Sequence, residues 1–247
     1  MNLSTLVLQS HMTPLPHSWI EQCLLSVRTW ARSRSFAYKF IGDETFQLVD
    51  TLVRDRYKDR PVILSDLARL IEMQRGLKEG FNAVIWLDAD TLILKTDAFH
   101  PLASEFVVGR EHWIQEGSNG GLAAHSKVHN GYLYAQEGSV SLPFYAGVAS
   151  RFLKSQRGQI PDQFIGPKLL TALHNVVQFE VQETAAAFSP AVIKDVINGG
   201  GPAQELLRSC SKTLPAAVNL CASSVRKGEL SDDDMLKFIQ KGESLIL

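Results

Sequence analysis

The run Ala83-Val84-Ile85-Trp86-Leu87 is the feature that most constrains what this chain can fold into. Five consecutive apolar residues between polar flanks suit a strand covered on both faces, as in a parallel sheet lying between helices. The residues before it repeat the pattern. Leu6-Val7-Leu8 reads as a short buried strand ending at Gln9-Ser10, and Trp19, Ile20, Cys23, Leu24, Val27 and Trp30 recur at helical spacing from Ser18 onward. Ala37 to Ile41 is a second strand; Phe46, Leu48, Val49, Leu52 and Val53 suggest a helix that Arg60-Pro61 breaks. Ser65-Asp66 reads as the start of the next helix, which Gly80 closes. Strand, helix, strand, helix, helix, strand is the order of an α/β protein.

The second half is less regular. Glu105 to Gly109, Gly131 to Gln136, Val176 to Val181 and Ala216 to Cys221 are strand candidates, while Pro143 to Leu153 and Gln163 to Leu173 look helical. Gly117 to Gly121 and Asn198 to Pro202 are loops, and a capped helix is expected from Ser231. Neither a repeat nor a linker divides the chain, so one domain over residues 1–247 is expected. A chain of this length buries roughly 70% of its unfolded surface and needs no disulfide or structural metal.

The function classes this excludes follow from charge and cysteine content. Twenty-five Lys and Arg against 26 Asp and Glu give a net charge of −1, which is no footprint for binding nucleic acid. Cys23, Cys210 and Cys221 are too widely spaced for a zinc pattern or a disulfide framework, and reduced thiols fit a cytoplasmic location. Met1 to Gln9 lacks the basic start and long apolar core of a signal segment. No apolar stretch reaches the ~18–20 residues of a membrane span, so no integral membrane segment is expected.

The apolar run ends in Asp88-Ala89-Asp90-Thr91. Two carboxylates placed just beyond a buried strand are costly unless something positive sits between them. On an extended chain, residues i and i+2 point the same way, so both could face one ligand. Hard oxygen ligands of this kind suit Mg²⁺ or Mn²⁺ shared with substrate phosphates. Open α/β sheets also bind ligands beyond the carboxyl ends of their strands. The structural alternative is a turn capped by Asp88 with Asp90 solvated.

Four segments together resemble the sugar-binding region of DXD-containing GT-A glycosyltransferases, closest to the family-32 type. They are Ser65-Asp66-Leu67-Ala68-Arg69 (S-D-x-x-R), Asp88-Ala89-Asp90 (D-x-D), the Asn-led strand His129-Asn130-Gly131-Tyr132 followed by Pro143-Phe144, and Ile165-Gly166-Pro167. The resemblance covers roughly residues 60–175 and, more faintly, 5–45. Gly80-Phe81-Asn82 stands where the family carries a glycine pair. The resemblance implies a GT-A α/β fold with a mostly parallel central sheet flanked by helices, a nucleotide-binding half of about residues 1–100 and an acceptor-side half of about 101–247. It implies a hexosyltransferase-type enzyme that moves a sugar from a UDP- or GDP-sugar donor to a glycan or other acceptor with retention; the expected lack of a membrane anchor argues for a bacterial cytoplasm. It also implies Mn²⁺ or Mg²⁺ bridging the D-x-D carboxylates and the donor diphosphate, with Asp90 as direct ligand and Asp88 on metal or ribose.

On the same resemblance, Asp66 and Arg69 lie against the donor sugar and Asn130 belongs to the donor pocket. Read from the residues alone, Asp66 is equally a helix-start anion, Arg69 a solvated helix residue and Asn130-Gly131 a tight turn. Relatives often supply a third metal ligand from a histidine in a late strand. Ala217-Val218-Asn219-Leu220-Cys221 is the comparable segment here, so Asn219 either stands at that position or is an ordinary polar strand residue, and Lys227 after it reads as a surface lysine or as a group reaching a diphosphate. Two other readings stand beside this one. A haloacid-dehalogenase-like phosphatase also carries D-x-D-x-T after an apolar strand, though normally on its first strand. The other is a degenerate, non-catalytic nucleotide-sugar-binding domain.

Overall fold

A computed structural model describes residues 5–245, with side chains to Lys241, so the first four residues of the opening stretch Met1–Gln9 lie outside it. The strands are β1 (Thr5–Ser10), β2 (Ala37–Ile41), β3 (Ala83–Leu87), β4 (Thr91–Ile93), β5 (Phe106–Glu116), β6 (Leu122–Gln136), β7 (Glu180–Ala187) and β8 (Ala217–Asn219). The helices are α1 (Ser18–Ser33), α2 (Thr51–Arg56), α3 (Pro61–Lys78), α4 (Ser141–Ser155), α5 (Leu169–Val177), α6 (Pro190–Ile197), α7 (Pro202–Cys210), α8 (Ser223–Arg226) and α9 (Asp232–Leu245). All eight strands form one sheet in the order β2-β1-β3-β6-β5-β7-β8-β4. The pairs β2–β1, β1–β3, β5–β7 and β7–β8 are parallel; β3–β6, β6–β5 and β8–β4 are antiparallel. The architecture is mixed α/β with a mostly parallel sheet flanked by helices.

The unbroken apolar run does what its composition requires. Every residue of β3 is buried, with Val84 and Trp86 packed among side chains of α3 and α4, and Ile85 and Leu87 among those of α1. β1 divides the same way, Leu6 and Leu8 toward the first group and Val7 toward the second. A third cluster joins Trp19 and Ile20 of α1 to Val192 and Ile193 of α6 and to Met235 and Phe238 of α9. These layers exclude water from both faces and leave the ends of the strands as the accessible edge.

Several sequence expectations change. The third long helix begins at Pro61, not at Ser65-Asp66. Proline lacks an N–H and holds a helical φ, so the residue that reads as a breaker is a favoured first position. Asp66 therefore sits in the second turn and is buried rather than at a helix start. The helix expected through Phe46 and Val53 is split into a 3₁₀ turn, Asp43–Leu48, and α2, where Asp50 Oδ1 accepts the Leu52 N–H at 3.0 Å. Val176 and Val177 close α5, Gln178 takes φ +59°, and the strand starts only at Glu180. Strands β5 and β6 are far longer than expected and pair from Phe106 to Glu116, while α6 and α7 fill the stretch around the Asn198–Pro202 loop.

Candidate active site at the carboxyl edge of the sheet

β3 ends because its ladder ends. Asp88 N–H makes a last cross-strand bond to Gly131 O at 2.9 Å, and Thr91 N–H then bonds to Asp88 O at 3.0 Å, closing a turn. The D-x-D segment is thus a turn rather than an extended chain, yet its carboxylates still converge. Asn219 Nδ2 lies 2.9 Å from Asp90 Oδ1 and 3.4 Å from Asp88 Oδ2. Pairing of β4 with β8 sets this meeting, since Thr91 stands opposite Asn219 in the register. Glycine is required beside it: a Cβ on Gly131 would come within 2.8 Å of Asn219 Nδ2 and 3.1 Å of Asp88 Oδ2.

Asp88 is held by three elements, two at its carboxylate and one at its backbone. Arg69 Nη1 and Trp86 Nε1 each donate to Asp88 Oδ1 at 2.8 Å, and Gln9 Nε2 donates to the Asp88 carbonyl at 3.1 Å. The Arg69 guanidinium also lies over the Trp86 ring, 5.3 Å from its centroid. Arg69 is not a solvated helix residue but a buried bridge: Nη2 is 3.0 Å from Asp66 Oδ1, and Nη1 donates to Asn130 O at 2.7 Å. Asn130 lies within β6 rather than at a tight turn, and its Nδ2 donates to Asp66 Oδ1 at 2.8 Å. Asp66 thus braces Arg69 and Asn130 from behind, whereas Arg69, Asp88, Asp90, Asn130 and Asn219 face the cleft.

Burial pushes the Asp66 carboxyl up to about 6, against the pull of Arg69 and Asn130. Burial, with the Asp88 charge added, pushes Asp90 up to about 6 as well, although the Ala222 N–H bond at 2.7 Å opposes it. Arg69 pairs directly with Asp66 and Asp88 and acts on Asp90 only from a distance, so these carboxyl groups favour an added cation. Asp88 Oδ1 is filled by Arg69 and Trp86, but Asp88 Oδ2 and Asp90 Oδ1 face each other across the Asn219 amide with acceptor capacity to spare. These two aspartates fit a hard divalent ion.

Asn219, expected as a third oxygen ligand, turns its nitrogen rather than its oxygen to this pair. Its Oδ1 accepts the Cys221 N–H at 2.8 Å, so the nitrogen faces the carboxylates. Reversing the amide would set its NH₂ against the Cys221 N–H. Asn219 acts here as a donor that holds the pair together.

The cleft in front of these groups has a volume of about 790 Å³, within the range of small-molecule sites. Arg226 and Lys227, at the end of α8, stand at its exposed rim. Sequence reasoning missed Gln9 and Trp86. A buried indole N–H needs a partner, and Trp86 two residues before Asp88 was a readable signal. Gln9 looked like the polar end of a strand, yet it is fully buried and accepts the Tyr38 hydroxyl at 3.1 Å.

Gly166 packs against the back of this network. A Cβ there would lie 2.5 Å from Asp66 Oδ2 and 2.6 Å from Asn130 Nδ2. Gly166→Ala should therefore cost about 1–3 kcal/mol of stability, read as a fall in Tm of roughly 2–4 °C per kcal/mol. An unchanged Tm would mean that the Asp66–Asn130 contact yields without strain.

Among the described residues, no helix is long and apolar enough to cross a membrane. No family model and no curated protein matches the chain. Among solved structures, the fold is similar to that of a glycosyltransferase involved in the glycosylation of the major capsid of PBCV-1, with a TM-score of 0.55 and 14% identity over 94% of this chain and 99% of that one. What the chain shares with that protein is its α/β fold, over most of both chains.

Proposed function

We propose that the protein is a GT-A glycosyltransferase that transfers a hexose from a UDP- or GDP-sugar to a glycan acceptor, with retention and in the cytoplasm. The observation that carries the reading is the convergence of Asp88 and Asp90 on one amide at the carboxyl edge of the sheet. The similarity in fold to a glycosyltransferase supports it. On this reading Asp88 and Asp90 would hold Mn²⁺ or Mg²⁺ at the donor site. A divalent ion bound there supplies Lewis-acid stabilisation of the departing nucleoside diphosphate.

The chain's own groups do the rest. Arg69 and Trp86 fix one oxygen of Asp88, leaving the other aimed at the cleft. Asn219 keeps the two carboxylates from spreading apart. Arg226 and Lys227 at the rim place positive charge where a diphosphate would lie. Asp66 orients Arg69 and Asn130 without facing the cleft itself.

Removal of divalent metal is expected to weaken nucleoside diphosphate binding by about tenfold or more, since two carboxylates would then repel the phosphates. Calorimetry with UDP and GDP in Mn²⁺ and in EDTA reads this directly, and equal affinity in both would count against the metal. A panel of UDP- and GDP-sugars assayed for diphosphate release tests the transfer chemistry. Cleavage of simple phosphate monoesters instead would favour a phosphatase.

A further inference from the structure

Strands β5 and β6 run past the body of the sheet as a two-stranded ribbon whose two faces differ. On one face, Ile114 and Ala124 pack with the cluster of α1, α6 and α9, and His112 Nδ1 bonds to Ser126 Oγ at 2.7 Å. The other face borders the cleft. There Glu111, Trp113 and Gln115 follow one another at strand spacing, with Lys127 opposite Glu111 and His125 opposite Trp113. Glu111 Oε1 is 2.8 Å from Lys127 Nζ, and Gln115 Nε2 is 3.4 Å from His125 Nε2. A half-buried indole is thus ringed by a carboxylate, an ammonium, an amide and an imidazole, on a wall anchored from behind.

Register places this wall relative to the carboxylates. Glu111 stands opposite Ala187, and Ala187 opposite Asn219. The ribbon therefore rises two strands away from Asn219, roughly 10 Å across the sheet, and Trp113 lies roughly 7 Å further along β5. That leaves room for one sugar ring between the carboxylates and the indole.

We infer that this ribbon face is an acceptor subsite for a pyranose ring of a glycan, seated on Trp113. A pyranose offers an apolar C–H face to an aromatic plane and a girdle of hydroxyls that both donate and accept. The indole matches the first, and Gln115, His125 and the Glu111–Lys127 pair match the second. The inference rests on the glycosyltransferase reading, because only a transfer reaction calls for a second sugar beside the donor.

The test uses the full chain and a panel of p-nitrophenyl hexosides and N-acetylhexosaminides. Binding is read by saturation-transfer NMR without turnover, and acceptor and donor KM are read during transfer. Trp113→Ala should raise the acceptor KM about tenfold or more while the donor KM stays within about twofold, and Trp113→Phe should recover most of the loss. The NMR signal of a bound glycoside should be lost in Trp113→Ala even if no donor in the panel is cleaved. Gln115→Ala, at an exposed position, serves as the second variant should Trp113→Ala fail to fold, with a smaller rise in acceptor KM. Glycoside binding that survives Trp113→Ala, or acceptor and donor KM that rise together, would overturn the subsite. Diphosphate release by the wild type without binding of any glycoside would overturn the subsite and leave the donor reading in place. Glycoside binding without diphosphate release from any donor would overturn the transfer reading and with it the acceptor role, leaving only a pyranose-binding face on Trp113.

Discussion

Replacing Asp90 by asparagine is expected to lower nucleotide-sugar cleavage by three or more powers of ten while the fold survives. On the proposed function Asp90 supplies one of the two charges that hold the cation. Losing it weakens stabilisation of the leaving diphosphate by several kcal/mol in the transition state. The structural cost is small by comparison. Asp90 accepts the Asn219 amide at 2.9 Å and the Ala222 N–H at 2.7 Å, and an asparagine can satisfy only one of them with its oxygen. The donor left unsatisfied costs about 1–3 kcal/mol. Burial already disfavours the Asp90 anion, which offsets part of that cost. Asn219→Ala should be milder: it frees the two carboxylates to separate but removes no charge. Circular dichroism and Tm check the fold, and diphosphate release in saturating Mn²⁺ checks the chemistry. Near-normal cleavage by the Asp90→Asn protein would sink the site as proposed.

Arg69→Ala should be the most destabilising single change at the site. The guanidinium is buried and contacts Asp66, Asp88 and the Asn130 carbonyl at 3.0, 2.8 and 2.7 Å. Truncation leaves two carboxyl groups and a carbonyl without their common donor. Removing one partner of a buried ionic group costs about 3–5 kcal/mol. For a chain of this size, each kcal/mol lowers Tm by roughly 2–4 °C, so a fall of about 6–20 °C is expected. Arg69→Lys should recover only part of it, because an ammonium cannot span Asp66 and Asp88 as a planar fork does. A Tm within about 2 °C of wild type would mean that water replaces the guanidinium without penalty.

Much of this architecture was legible in the residues. The all-apolar β3 run could only be covered on both faces, and the alternation of short strands with helices ahead of it defined an α/β layer order. The grouping of Asp66, Arg69 and Asn130 was implied only by the resemblance to a family, whereas the position of Asp88 and Asp90 at a strand end could be read from the residues themselves. The strand and helix signals are local, because backbone period and burial are set within a few residues.

The tertiary structure decided what local signals cannot encode. Asp90 and Asn219 are 129 residues apart, and only the β4–β8 register brings them together and turns the amide nitrogen inward. Asp66 looked like a helix-start anion until Pro61 moved that start by one turn and put its carboxyl behind Arg69. The ribbon from Gly109 to His129 lacks the apolar alternation that marks a strand, since polar side chains such as Glu111, Gln115, His125 and Lys127 face the cleft. Its strand character comes from cross-strand hydrogen bonds and from Ile114 and Ala124 packed against helices distant in the chain. Sequence determines which segments bury themselves; which polar groups then meet at their ends depends on register, and register is settled only when the whole sheet forms.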